Sequence, residues 1–189
     1  MIDHTTADAQ LLDAAEELFY GRGIQAVGMD DIRRVSGVSL KRLYQLYPTK
    51  ARLVEAYLDR RDERWRARLA EYVARRGDAE QRILAVFDWL EAWFAEPGFR
   101  GCAWINSFGE LGAGSQAIGA RARQHKEAFR RYLRDLVAAA GLPDELADHV
   151  LLLAEGAMVN AAIFGSTAPA SQARIAAARL LAATKRAGH

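Results

Sequence analysis

Apolar residues recur at three- and four-residue intervals through almost the whole chain, and no stretch sustains the alternation of a half-buried strand. Leu11, Ala15, Leu18 and Phe19 form the stripe of a first helix that stops at Gly21-Arg22-Gly23. Gly23 suits a left-handed C-terminal cap, where a side chain would clash. A very short helix is predicted near Met29 to Ser36, with Ile32 and Val35 facing inward. Gly37-Val38 makes a turn, and the Ser39 hydroxyl is placed to cap the next helix, near Leu40 to Leu46. That helix must end before Pro48, because a residue preceding proline is pushed out of the α region. Thr49 then caps a long helix to about Arg76, with Leu53, Ala56, Tyr57, Trp65, Leu69 and Tyr72 as its apolar positions.

Gly77-Asp78 breaks the pattern. Ile83, Leu84, Phe87, Leu90 and Phe94 follow at helical spacing and stop at Pro97-Gly98. Cys102 to Leu111 reads as a shorter helix closed by Gly112-Ala113-Gly114, and Ser115 caps another long one to about Ala140. Gly141-Leu142-Pro143 opens an eighth helix ending at Gly165, and Ser171 to Lys185 makes a ninth. The expected fold is therefore all-α, about nine helices, with a small N-terminal three-helix bundle and a larger helical bundle after it. The boundary falls at the start of the fourth helix, around Lys50 to Tyr57, giving domains of residues 1–50 and 51–189.

Two short helices joined by a tight glycine-containing turn, as in residues 29 to 50, are the helix-turn-helix arrangement, whose second helix enters the DNA major groove. Charge fits that reading only locally. The net charge is +2, too small to argue for nucleic acid. Between Arg33 and Arg52, however, every charged residue is basic: Arg33, Arg34, Lys41, Arg42, Lys50 and Arg52. Such a run is either a solvated face or an electrostatic footprint. Acids upstream, from Asp3 to Asp31, hide it in any whole-domain sum.

Asp31-Ile32, Ser36-Gly37-Val38-Ser39 and Leu43-Tyr44-Gln45-Leu46-Tyr47-Pro48-Thr49-Lys50 together resemble the N-terminal signature of the TetR family of transcriptional regulators, and Leu18-Phe19 with Gly23 resembles the helix before it. The resemblance covers residues 7 to about 57. It implies a ligand-responsive regulator, most often a repressor, that binds double-stranded DNA at a palindromic operator as a homodimer and is released by a small molecule. An activator of the same fold and a helical enzyme are the alternatives. It also implies a bacterial, cytoplasmic, nucleoid-associated protein.

In that family the positions of Tyr44 and Lys50 touch DNA phosphates. Lys50 agrees on physical grounds, since it lies in the first turn of a helix whose N–H groups point toward an anion. The alternative for Tyr44 is a core aromatic with its hydroxyl at the surface. Arg52 stands where the family often has a Glu completing a capping box. A cation in a first turn opposes the helix dipole by about 0.3–1 kcal/mol, so Arg52 is either a further backbone contact or a solvated side chain. Lys41-Arg42 replaces the common Gly-Thr early in the recognition helix. Arg42 is a candidate base reader, since arginine pairs bidentately with guanine; Lys41 is a base or phosphate contact, and Gln45 a candidate adenine reader. Arg33, Arg34, Ser39 and Tyr47 complete the DNA-binding set. Gly28 stands where the family often has a Thr cap, which predicts a looser start to the second helix.

The C-terminal region is rich in aromatics. Trp89, Trp93, Trp104, Phe108 and Phe129, with Asn106, Glu110 and Asn160 as orienting polar groups, are candidates for a small-molecule site; the plainer reading of each aromatic is core packing. The small and aliphatic runs Ala161-Ala162, Ala176-Ala177-Ala178 and Leu180 to Ala183 suit close helix packing, and the last two helices are expected to pair with those of a second subunit.

Cys102, the single cysteine, permits no intrachain disulfide and reads as a buried hydrophobe or as a reactive thiol assisted by Arg100. His4, His125, His149 and His189 are scattered, without metal-ligand spacing. No metal, no cofactor and no catalytic residues are expected. Residues 1 to 6 lack the basic and apolar regions of a signal peptide. Val150 to Phe164, the longest apolar stretch, is interrupted and reads as too short to cross a bilayer.

Overall fold

The structure is a computed structural model that describes residues 4–187; Asp3 and His189 lie outside the described residues. It holds nine helices and no strand among them: α1 His4–Arg22, α2 Met29–Ser36, α3 Leu40–Leu46, α4 Lys50–Ala74, α5 Ala79–Phe94, α6 Ala103–Leu111, α7 Gln116–Ala139, α8 Glu145–Phe164 and α9 Ala168–Ala187. Two compact units result. The first runs to Glu63 and includes Ala103–Arg123; the second comprises Arg64–Cys102 and the chain from Gln124 onward. The division cuts through α4 and α7, each of which contributes residues to both units.

In the first unit, Leu11, Leu18, Phe19, Ile32, Val38, Leu43, Leu53 and Tyr57 are buried, with Phe19 edge-on to Tyr57 at 5.8 Å. Gly23 ends α1 in the left-handed region (φ 90°), its N–H donating to the Phe19 carbonyl at 3.0 Å. Gly37 ends α2 in the same way (φ 69°). The Ser39 Oγ accepts the Arg42 N–H, and the Thr49 Oγ1 accepts the Arg52 N–H, both at 3.3 Å. Each cap satisfies one of the donors that a helix start leaves without an intrahelical partner.

Two local expectations need correction. Val35 is exposed, not inward. An eight-residue helix turns few side chains to the core; Ile32 fills that position and Val38, past the turn, takes the next. The start of α2 is also held despite Gly28, because the Asp31 carboxylate accepts the Gly28 N–H at 3.0 Å. That backbone hydrogen bond, ahead of the charges of Arg34 and Arg22, draws the Asp31 carboxyl below its ordinary range.

The second unit packs α9 against α8 and α5. Trp65, near the middle of α4, is the hub of its aromatic core: its ring lies 5.1 Å from Trp89, 5.8 Å from Trp93, 5.2 Å from Phe129 and 5.1 Å from His125. Trp89 and Trp93 are stacked at 5.5 Å. Gly101 is required twice over, by a left-handed backbone (φ 82°) and because a Cβ there would sit 2.9 Å from the Ala162 methyl. Helix α9 begins at Ala168, earlier than the expected Ser171, because Pro169 falls in its first turn, where a missing N–H costs nothing. Helix α8 begins at Glu145, just after the expected opening at Gly141-Leu142-Pro143. At 20 residues, with a mean hydropathy of 1.4 over its most apolar stretch, it is long and apolar enough to cross a membrane, against the shorter span expected. Ala154, Ala157, Met158 and Ala161 on α8 are buried inside the unit, while Leu152, Ile163 and Phe164 are about 70% exposed.

Candidate nucleic-acid interface

Helix α3 presents its polar side outward because one residue anchors the other side. Leu43 is fully buried, whereas Ser39, Lys41, Tyr44 and Gln45 are exposed and Arg42 is half-buried. Tyr44 is thus not a core residue. Arg42 Nη1 lies 3.4 Å from the Gln45 Oε1, so the two candidate base readers share one face. Lys50 opens α4, followed by the exposed Arg52.

The other cations are partly engaged. Arg33 pairs with Asp30 at 3.1 Å and Arg34 with Asp31, both within α2. Arg52 pairs with Glu55 at 3.1 Å. The two pairs within α2 are solvent-accessible and stabilise by only about 0–1 kcal/mol, so a phosphate competes with them readily, whereas the Glu55 side chain is only 12% exposed.

Tyr47 departs from its expected role. It is buried, and its hydroxyl donates to the Asp8 carboxylate at 2.6 Å, tying the end of α3 to α1. Burial, then that hydrogen bond, raises the phenol well above its ordinary range and keeps it protonated as a donor. Tyr47→Phe is expected to lower stability by about 0.5–1.5 kcal/mol while leaving affinity for duplex DNA unchanged, as denaturant titration and fluorescence anisotropy would show. A matched loss of DNA affinity without a loss of stability would return Tyr47 to the contact surface.

The eight residues expected to line a ligand site divide between the units. Trp89, Trp93 and Phe129 gather around Trp65 in the second unit. Asn160 also belongs to the second unit, but on the exposed side of α8, with its amide donating to the Gly156 carbonyl at 2.8 Å. Trp104, Asn106, Phe108 and Glu110 lie on α6 in the first unit, with Trp104 buried and Asn106 and Phe108 exposed. Glu110 is engaged there: its carboxylate accepts the Gln25 N–H at 2.9 Å, and the Gln25 amide donates to the Glu110 carbonyl at 2.7 Å. A sequence distance of 85 residues separates that pair, so no local pattern announces it.

Cys102 is buried beside α7. Burial alone would raise its thiol; the hydrogen bond from His125 and the charge of Lys126, whose Nζ is 3.3 Å from the sulfur, outweigh it and hold the thiol below its ordinary range. His125 and Lys126, which lower it, stand on α7, whereas the sequence points to Arg100. Lys126 is also ion-paired with Glu155 of α8. His125 and Lys126 had no motif to mark them; only the packing of α7 brings them to the sulfur.

Comparison with known proteins agrees with this geometry. Residues 11–57 match the model of bacterial regulatory proteins of the tetR family. The transcriptional activator FasR of Mycolicibacterium smegmatis is 37% identical over 86 residues, 43% of this chain and 39% of that protein. The transcriptional regulator TtgR of Pseudomonas putida is 33% identical over 75 residues, 40% of this chain and 33% of that protein. The chain thus aligns with well under half the length of these curated relatives. Over nearly the whole chain, a TetR-family transcriptional regulator from Streptomyces coelicolor superposes with a TM-score of 0.88 at 27% identity, covering 95% of this chain and 96% of that one. E. coli NemR in its reduced form shares the fold alone, with a TM-score of 0.82 at 21% identity over 90% of this chain and 94% of that one. Residues 11–57 thus match the helix-turn-helix region of the tetR family of bacterial regulatory proteins, and the chain shares its fold along nearly its whole length with a solved TetR-family transcriptional regulator.

Proposed function

We propose that the protein is a non-enzymatic, DNA-binding transcriptional regulator acting in the cytoplasm on the bacterial nucleoid. A homodimer places two copies of α3 in successive major grooves of a palindromic operator, and a small molecule bound in the helical region releases it. The observation that carries this reading is the outward side of α3, where Ser39, Lys41, Tyr44 and Gln45 are exposed and Arg42 meets Gln45. Two such helices on one dimer match half-sites roughly 34–36 Å apart. In this reading Arg42 and Gln45 address base edges, while Lys41, Tyr44, Lys50 and Arg52, flanked by Arg33 and Arg34, address the backbone.

The second subunit is assigned to the outer side of α8 and α9. Leu152, Ile163, Phe164 and Ile175 are exposed there, beside a groove of about 550 Å³ lined by residues that include Gly156, Asn160, Pro169 and Gln172. Apolar side chains this exposed on adjacent helices are better accounted for by burial against another copy than by water. The length and apolarity of α8 follow from the same need, since one of its sides serves the subunit core and the other serves the partner. Asn160 then belongs to the subunit interface, and Trp89, Trp93 and Phe129 remain the inducer candidates of the second unit, with Trp104, Asn106, Phe108 and Glu110 those of the first. Repression is the family's habit, although a named activator, FasR, is among the relatives, so the sign is read from the position of the operator relative to its promoter.

The test is capture of genomic fragments followed by footprinting at two salt concentrations, with the wild type and Arg42→Ala in parallel. The expected result is a protected inverted repeat whose base preference relaxes at one position in the variant, by about 1–3 kcal/mol of discrimination. Absence of protection, or equal binding of all DNA at both salts, would remove the regulator reading.

A further inference from the structure

Arg121 of α7 reaches two acids of α4 within the first unit. Its Nε and Nη2 grip the Asp59 carboxylate at 2.9 and 3.0 Å, and Nη2 also lies 3.2 Å from the Glu55 Oε2. Arg52 donates to that same Oε2 at 3.1 Å. One carboxylate oxygen is therefore shared by two guanidinium groups of very different exposure. Glu55 is 12% exposed and Arg121 25%, while Arg52 is 69% exposed.

We propose that Arg121 is a positioning residue for DNA binding: it holds the Glu55 carboxylate so that Arg52 can leave it for a phosphate. The inference rests on the regulator reading above and adds a route by which DNA affinity is set from α7. A DNA phosphate competes with Glu55 for Arg52. When Arg121 stays in place, Arg52 departs and the half-buried carboxylate keeps a charged partner. Without Arg121, the same departure strands a carboxylate that is largely withdrawn from water, and a stranded charge is far more costly than a broken surface pair. Arg52 then remains on Glu55 and the phosphate contact is lost. Lys50, two residues away, has no such competitor in this cluster, so the effect is confined to one contact per subunit. Helix α7 continues from Arg121 without a break to His125, Lys126 and Phe129 of the second unit. A ligand that shifts α7 along or about its axis would thereby loosen the grip on Glu55 and weaken DNA binding.

The experiment is a double-mutant cycle on the full chain, read by fluorescence anisotropy with labelled sheared genomic duplex DNA over a range of salt. The contact is to phosphate, so no operator is required. Arg121→Ala is expected to weaken binding roughly 5–50-fold and to flatten the salt dependence by about 0.9 in log–log slope per lost contact. Glu55→Gln, which leaves no charge to strand, is expected to bind at least as well as wild type, and adding Arg121→Ala to it is expected to change nothing. Equal loss in both backgrounds would mean that Arg121 acts through net charge or a contact of its own, and would overturn the proposal, as would an unchanged Arg121→Ala. If Arg121→Ala does not fold by circular dichroism, Arg121→Gln takes its place in the same cycle. Failure of the wild type to bind duplex DNA at all is a different result, which overturns the regulator reading.

Discussion

Phe164→Asp is expected to convert the protein from a dimer to a monomer and to weaken its hold on a two-half-site operator by about 10²–10⁴-fold. Phe164 ends α8 with 71% of its surface exposed, next to Ile163 at the same exposure. In a dimer joined through α8 and α9 both side chains are buried, and an aspartate there loses the apolar contact and places an unpaired charge in an apolar seam. The loss on DNA follows from geometry more than from any altered contact to a base. Once one recognition helix is seated, the second binds at the high effective concentration set by the shared dimer; a monomer binds each half-site alone. Light scattering gives the mass, and anisotropy with the captured operator gives the affinity. A variant that stays dimeric at micromolar concentration would move the subunit interface elsewhere. One that becomes monomeric yet binds the full operator as tightly as wild type would remove the need for a dimer.

Trp65→Ala is expected to destabilise the second unit by about 3–5 kcal/mol, which for a chain of this size lowers the melting temperature by roughly 6–20 °C. The rings of Trp89, Trp93, His125 and Phe129 all lie within 6 Å of Trp65, and its own surface is almost wholly withdrawn from water. Removing the indole leaves a cavity that stacked Trp89 and Trp93 cannot fill without leaving their mutual contact. Calorimetry of the unliganded protein measures the loss. A fall of under 1 kcal/mol would mean that the cluster yields easily, as the walls of a ligand pocket do. A rescue of the variant by small planar aromatic molecules would identify the same space as adaptable. The full loss without rescue assigns Trp89, Trp93 and Phe129 to packing, and the inducer site must then be sought elsewhere.

How much of this could be read from the sequence depended on how far apart the interacting residues stand. Caps and turns are local, so Gly23, Gly37, Ser39 and Thr49 were each legible, as was the order of nine helices. Asp31 is equally local, but a glycine at the cap position hides the start of α2, because the group that closes it comes from the third residue of the helix and not from the cap itself. The face of α3 was legible because Leu43 alone had to point inward. Tyr47 was not, since a tyrosine beside a basic run suits a phosphate as well as a core, and only the position of Asp8 on α1 decides. Trp65 was legible as apolar but not as a centre, because its neighbours come from α5 and α7. Glu110, Arg121 and Glu155 find their partners 85, 62 and 29 residues away. Helical periodicity carries no information at that range, and these are the residues through which α6, α7 and α8 bear on the rest.

The clasp between Gln25 and Glu110 has a consequence for how the molecule is made. The unit that carries the helix-turn-helix is not contiguous: it takes α6 and the start of α7 from a stretch that follows roughly forty residues belonging to the other unit. On a ribosome, α1 to α3 emerge and can form early, but the turn after α1 waits for Glu110, and the acids of α4 wait for Arg121. The DNA-reading end is therefore completed only after the whole of the second unit's α5 has been synthesised. Nascent chains held short of Arg123 carry a recognition helix without its full support, and so the ability to occupy DNA arrives late in synthesis.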